Sequence, residues 1–178
     1  MVVFISMLRG INVSGQKKIK MNELKALYES LGFHQVLTYI QSGNIIFYSS
    51  ISDTSEIKEL ITTQIEKKYG YTVDVILRTQ EELEKIVKNS PFSKKDLSKV
   101  LVTFLSEDKS DYPYEELSFA KKSEEEFQIQ GKEIHLYLPY GFGRTKLNNN
   151  FFEKKLNVTA TTRNWRTINK ILEMSLSY

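Results

Sequence analysis

The sequence of 178 residues contains no cysteine. That excludes disulfides, thiolate metal centres and cysteine nucleophiles, and it fits a reducing compartment. Histidine is almost as scarce, with only His34 and His135. Neither belongs to a His-x-x-x-His pair or has a serine and an acid at the spacing of a nucleophilic motif. Ser42 is not in a Gly-x-Ser-x-Gly elbow, and no EF-hand loop occurs. No metal and no cofactor is therefore expected. Proline and glycine, at 3 and 8 residues, are too few for a long flexible linker. Long apolar runs are missing as well. Val2 to Leu8 is too short to cross a membrane, has no basic residue before it and is ended by Arg9. It reads as a buried strand, in a cytoplasmic protein with no membrane partner.

The chain that remains is ordinary for a folded protein, long enough to bury roughly 70% of the surface its unfolded form exposes. A net charge of +3 is mild, but the charges are segregated. Arg9 to Lys20 holds four bases and no acid; Arg144 to Lys170 holds seven bases against Glu153 alone; Glu107 to Glu133 between them is acidic, with nine acids and four lysines. Distribution, more than total, carries the electrostatic argument.

Hydrophobic periodicity orders the elements. The strand Val2 to Leu8 is followed by a basic loop, then by a helix from Met21 whose Leu24, Leu27, Tyr28 and Leu31 share one face and which Gly32 ends. Val36 to Ile40 and Ile45 to Ser49 read as a hairpin around Gln41-Ser42-Gly43-Asn44, where Gly43 supplies the positive φ of the turn. Asp53, Thr54 or Ser55 caps a second helix ended by Gly70, and Val73 to Leu77 is a fourth strand. After a linking helix at Glu81 to Val87, the order restarts. Val100 to Leu105 is a strand, Tyr114 to Ala120 a helix, and Glu126 to Gln130 with Glu133 to Leu138 a hairpin. Asn149 to Leu156 is a helix, Val158 to Thr161 a strand, and Asn164 to Leu176 the closing helix. The expectation is an α/β (α+β) chain of two ferredoxin-like βαββαβ halves, residues 1–79 and 99–178, joined by 80–98, the alternative being one mixed sheet that uses both halves as a single core.

Right-handed crossovers make the first and second strands of each half run in parallel directions. The loop after strand one and the turn between strands two and three then share one sheet end. Arg9, Gly10, Asn12 and Lys18 are expected there beside Tyr39, Gln41, Ser42 and Asn44, with the N-terminus of the first helix. In the second half the loop from Pro139 to Lys146, with Arg144 and Lys146, shares an end with Thr161 to Trp165, including Arg163 and Asn164. The run Gly141-Phe142-Gly143-Arg144-Thr145-Lys146 matches neither a Walker loop nor a dinucleotide fingerprint, but its bases suit an anion. Arg9 and Arg163, each expected just after a strand and next to amide residues, suit bidentate binding of phosphate or carboxylate. Trp165 reads as a core anchor and Glu124 to Glu126 as a solvated turn.

Several of these segments carry a resemblance. Leu8-Arg9-Gly10-Ile11-Asn12-Val13, Lys20-Met21, Leu31-Gly32-Phe33, Tyr39-Ile40-Gln41-Ser42-Gly43-Asn44, Pro91-Phe92, Thr145-Lys146-Leu147 and Ala160-Thr161-Thr162-Arg163-Asn164-Trp165 occur in this order. Together they resemble the bacterial domain-of-unknown-function family 1697 over nearly the whole chain. The resemblance implies a small bacterial cytoplasmic protein of two ferredoxin-like subdomains and no established activity. Thr145 stands where the resemblance leads one to expect serine, and keeps the hydroxyl.

Three readings of the polar segments follow. They bind a small phosphorylated or carboxylated ligand, the preferred reading; they bind single-stranded nucleic acid, the runner-up; or they are structural ties. The strand Gly43 to Tyr48 matches an RNA-recognition signature poorly, and +3 is a weak footprint for a polyanion. No reaction is assigned.

Overall fold

The computed structural model describes residues 1–177. The chain forms two compact units, residues 1–84 with the segment from Ile171 onward, and Lys85–Lys170. Each carries one four-stranded antiparallel sheet.

In the first unit, β1 (Val2–Leu8), β2 (His34–Tyr39), β3 (Asn44–Ser49) and β4 (Val75–Thr79) lie in the order β2-β3-β1-β4. β1 is central, pairing with β3 and β4. Its apolar run, interrupted only by Ser6, follows from burial on both faces. Phe4 and Leu8 join Ile45, Phe47, Val75 and Leu77 in one cluster; Ile5, Met7 and Ile46, of opposite parity, are equally shielded from solvent. The helices α1 (Met21–Ser30) and α2 (Thr54–Tyr69) contribute Leu24, Leu27, Tyr28, Ile57, Ile61 and Ile65 to the cluster. Phe47 anchors it, with ring centroids 4.5 Å from Phe33, 5.4 Å from Tyr28 and 5.8 Å from Phe4. Tyr28 is enclosed, and its hydroxyl is paired with Ser6 at 2.7 Å. Burial pushes its pKa up despite that bond. Asp53 caps α2 by accepting from the Ser55 and Glu56 N–H groups, and Gly70 ends it in the left-handed region.

β4 runs two residues later than the apolar stretch Val73 to Leu77 suggested. Its register with β1, from Leu8 opposite Val75 to Phe4 opposite Thr79, holds it there. Thr79 then opens α3 (Gln80–Lys88) with a reciprocal cap: its N–H donates to Glu82 Oε2 at 2.8 Å, and its Oγ1 accepts from Glu82 N–H at 3.2 Å.

The second unit repeats the plan. β5 (Val100–Leu105), β6 (Glu126–Gln130), β7 (Glu133–Tyr137) and β8 (Ala160–Asn164) lie in the order β6-β7-β5-β8, with α4 (Tyr114–Ala120) and α5 (Asn149–Leu156). Leu101, Leu105, Leu117, Ile134, Leu136, Phe152 and Ala160 form its core. α6 (Trp165–Leu176) closes the chain. Both units therefore have the split βαβ topology of ferredoxin-like folds. The registers match position for position: Ile5 faces Arg78 in one, and Val102 faces Arg163 in the other.

Candidate functional site

Leu8, the last residue of β1, donates its N–H to Gly43 O at 2.9 Å. The loop of residues 9–20 and the β2–β3 turn thus meet at one end of the sheet, as the topology requires. Gly43 has φ +78°, and a Cβ there would stand 2.7 Å from Ile11 Cδ1 and 2.9 Å from Leu8 Cβ. Only glycine lets the loop seat on the turn.

Asn12 ties the two together. Its Nδ2 donates to Gln41 O at 2.8 Å and Ile19 O at 3.0 Å, and its Oδ1 accepts from Ile19 N–H at 2.8 Å. Its own N–H reaches Lys17 O at 3.1 Å. From the far side, Tyr71 OH donates to Lys18 O and Lys17 Nζ to Thr72 O, both at 2.7 Å. Ile11 and Ile19 are buried. The backbone is therefore fixed, although the loop is rich in left-handed residues (Gly10, Asn12, Ser14, Gly15 and Lys17).

Lys18 and Gln41 are exposed on this frame, while Arg9, Tyr39 and Ser42 are half-buried. Arg9 N–H donates to Asp74 O at 2.9 Å, holding the start of the loop against the strand before it turns. Asn44 is fully buried; its Nδ2 donates to Tyr39 O and Ser42 Oγ, each at 3.0 Å, which closes the turn. Asn12 and Asn44 thus shape the site, and the bases and Gln41 are the groups on its surface.

α1 begins here in an unusual way. Lys20 occupies the N-cap position and supplies no side-chain acceptor. An acceptor such as Asp or Asn is the normal choice, and a cation at the positive end of the helix dipole is unfavourable. Glu23 in the first turn lies 3.9 Å from Lys20 Nζ, a long exposed contact worth little.

The second unit gathers its candidates less tightly. Arg144 and Lys146 are exposed, and Lys122 Nζ donates to Arg144 O at 2.5 Å. Thr145 Oγ1 accepts from Leu147 N–H at 3.0 Å in a buried turn, a task that serine would also perform. Asn148 caps α5. Arg163 does not follow β8, as expected, but lies within it and is buried, with NH1 donating to Thr161 Oγ1 at 2.7 Å and Thr162 O at 3.0 Å. Asn164 Oδ1 accepts from Thr167 N–H at 2.8 Å and so caps α6. Trp165, at the start of that helix, is only half-buried.

Three more buried polar residues matter, one missed by the sequence reading, one contrary to it and one where it was expected. Arg78 is Arg163's counterpart, equally buried, with NH1 on Leu77 O at 2.8 Å. The shared order of a strand arginine followed by a helix-capping Thr or Asn was the signal that could have found it. Glu125 is not a solvated turn residue; it is fully buried, with Oε2 accepting from Lys122 N–H and Oε1 unpartnered. His135, inside β7, is fully buried with neither nitrogen bonded, and burial pushes its pKa down to about 4. Among the described residues no three or more His, Asp or Glu side chains group as a metal site. No described helix is long and apolar enough to cross a membrane.

The profile of the family described as "Protein of unknown function (DUF1697)" matches residues 1–135. The chain belongs to DUF1697. No curated protein matches it. Among solved structures it is similar to the conserved bacterial protein SP0830 from Streptococcus pneumoniae, at 25% identity over 98% of both chains and a TM-score of 0.70. The DUF1697 match covers the whole first unit's sheet, including the Asn12 loop and the Gly43 turn.

Proposed function

We propose that this DUF1697 protein binds a small phosphorylated ligand at the strand-end loop of its first unit. The observation that carries the reading is Lys20 at the N-cap of α1. A lysine there costs helix stability unless an anion joins the free N–H groups of the first turn. Lys18 and Arg9 add charge on a backbone held rigid by Asn12, so little order is lost on binding. Gln41 and Tyr39 serve as orienting groups. The charge clamps could also support a reaction, but no residue here is assigned a catalytic role.

The sheet argues for a small ligand over single-stranded nucleic acid. Base stacking of the RNA-recognition kind needs aromatics on an open face of the central strands. Ile5, Met7 and Ile46 on β1 and β3 are buried instead.

A thermal-shift panel of nucleotides, sugar phosphates, carboxylates and short RNA at constant ionic strength tests the reading. A ligand at a hundred times its dissociation constant adds about 2.7 kcal/mol, or roughly 5–10 °C in a chain of this size. A phosphorylated compound is expected to give the shift, and Lys18→Ala to lose it. A response only to RNA that falls steeply with salt would move the protein to the polyanion class.

A further inference from the structure

We infer that edge strand β6 is a self-association surface, pairing antiparallel with β6 of a second copy of this chain. The inference is independent of the anion site. An exposed sheet edge presents unpaired backbone groups, and folded proteins blunt such edges with bulges, charges or covering segments. Three of the four edges here are managed that way. β2 is broken by a register shift between His34 and Leu37, with Gln35 at φ +49°. β4 and β8 are buried along most of their length.

β6 has no bulge and no buried residue, and its one charge, Glu126, is already paired with Lys95. It pairs with β7 without a shift over all five residues, and its outer side is accessible along its length. Beside it runs a groove of about 370 Å³, lined by Phe127, Ile129 and the charged Glu126 of β6 and by Tyr114, Ser118 and Lys121. Tyr114 stacks on Phe127, with centroids 6.5 Å apart, so the wall is preformed.

The sequence of β6 selects a second copy as the occupant. With a two-fold axis through Gln128, Glu126-Phe127-Gln128-Ile129-Gln130 meets itself without conflict. Gln128 faces Gln128, Phe127 faces Ile129, and Glu126 faces Gln130. Just outside the strand, Glu124 comes opposite Lys132, so each end brings unlike charges together. No like charges meet at any position, and the Phe127–Ile129 and Glu124–Lys132 pairings are of kinds that stabilise an antiparallel ladder. The arrangement is the isologous one that two-fold dimers require. It would join two four-stranded sheets into one of eight.

The test uses the full chain and the exposed Gln128. Sedimentation velocity over a concentration series is expected to show a monomer–dimer equilibrium. Gln128→Lys and Gln128→Glu should each weaken the dimer by about tenfold or more, because like charges then face each other across the axis. An equimolar mixture of the two should restore it. Because the chain has no cysteine, Gln128→Cys gives a clean register check. Facing residues in an antiparallel pair lie within disulfide range, so oxidation should link two copies, while Thr63→Cys on α2 should not. A protein that stays monomeric to millimolar concentration overturns the inference. So does a dimer that ignores both charge variants and leaves the residue-128 thiols unlinked.

Discussion

Asn12 organises the strand-end loop with one side chain, making three hydrogen bonds to the backbone of residues 19 and 41. Asn12→Ala is expected to cost roughly 2 kcal/mol in chemical denaturation, since each net bond is worth about 0.5–1.5 kcal/mol. Gly43→Ala should cost more, about 2–4 kcal/mol, because a left-handed backbone and a crowded Cβ act together. His135 makes a pH prediction. Its folded pKa, about 4, lies below the 6.5 of the unfolded chain, so the unfolded state takes up a proton first as pH falls. Stability is therefore intact above pH 6.5 and declines between about 6.5 and 4, by roughly 3 kcal/mol in all. His135→Leu should flatten that part of the profile. An unchanged slope would place the acid sensitivity elsewhere.

Elements show where sequence reading succeeds. The glycine turn of the hairpin, the stripes of α1 and α2, and the spans of α4, β6 and α5 were legible, because local chemistry sets them. β4 and β8 were read early in the chain for a different reason. Their polar ends, Arg78-Thr79 and Thr162-Arg163-Asn164, look like loop, and only pairing with β1 and β5 makes them strand. The same misreading hid Arg78 and exposed Arg163. Of the candidate site, its place at the sheet end followed from topology. That Asn12 and Asn44 would be ties did not, since an asparagine in a loop binds ligand or backbone with the same atoms. At this scale the proposed anion site rests on α1. Lys20→Ser should stabilise the protein by about 1 kcal/mol through a proper cap, while weakening any phosphate response. A variant that gains stability and keeps full ligand response would contradict the proposed role of Lys20.

At the scale of the whole chain, one topology is used twice with different side chains at matching positions. Both units keep a buried arginine one residue before a helix cap, at Arg78 and Arg163. Truncating either to alanine should destabilise its unit by roughly 2–4 kcal/mol, through lost packing and orphaned acceptors. Such a loss, with the ligand response of Lys18 and Lys20 intact, would mark the pair as fold residues. The basic strand-end loop differs between the units, and the first is the one with a rigid backbone and an uncapped helix beneath it. The most direct test of that assignment is a two-dimensional amide NMR titration with a phosphorylated ligand from the panel. The account predicts shifts concentrated at residues 9–23 and 41–44, with the amides of Met21 and Asn22 moving most. Shifts centred on residues 139–148 instead, or none at saturating ligand, would contradict it.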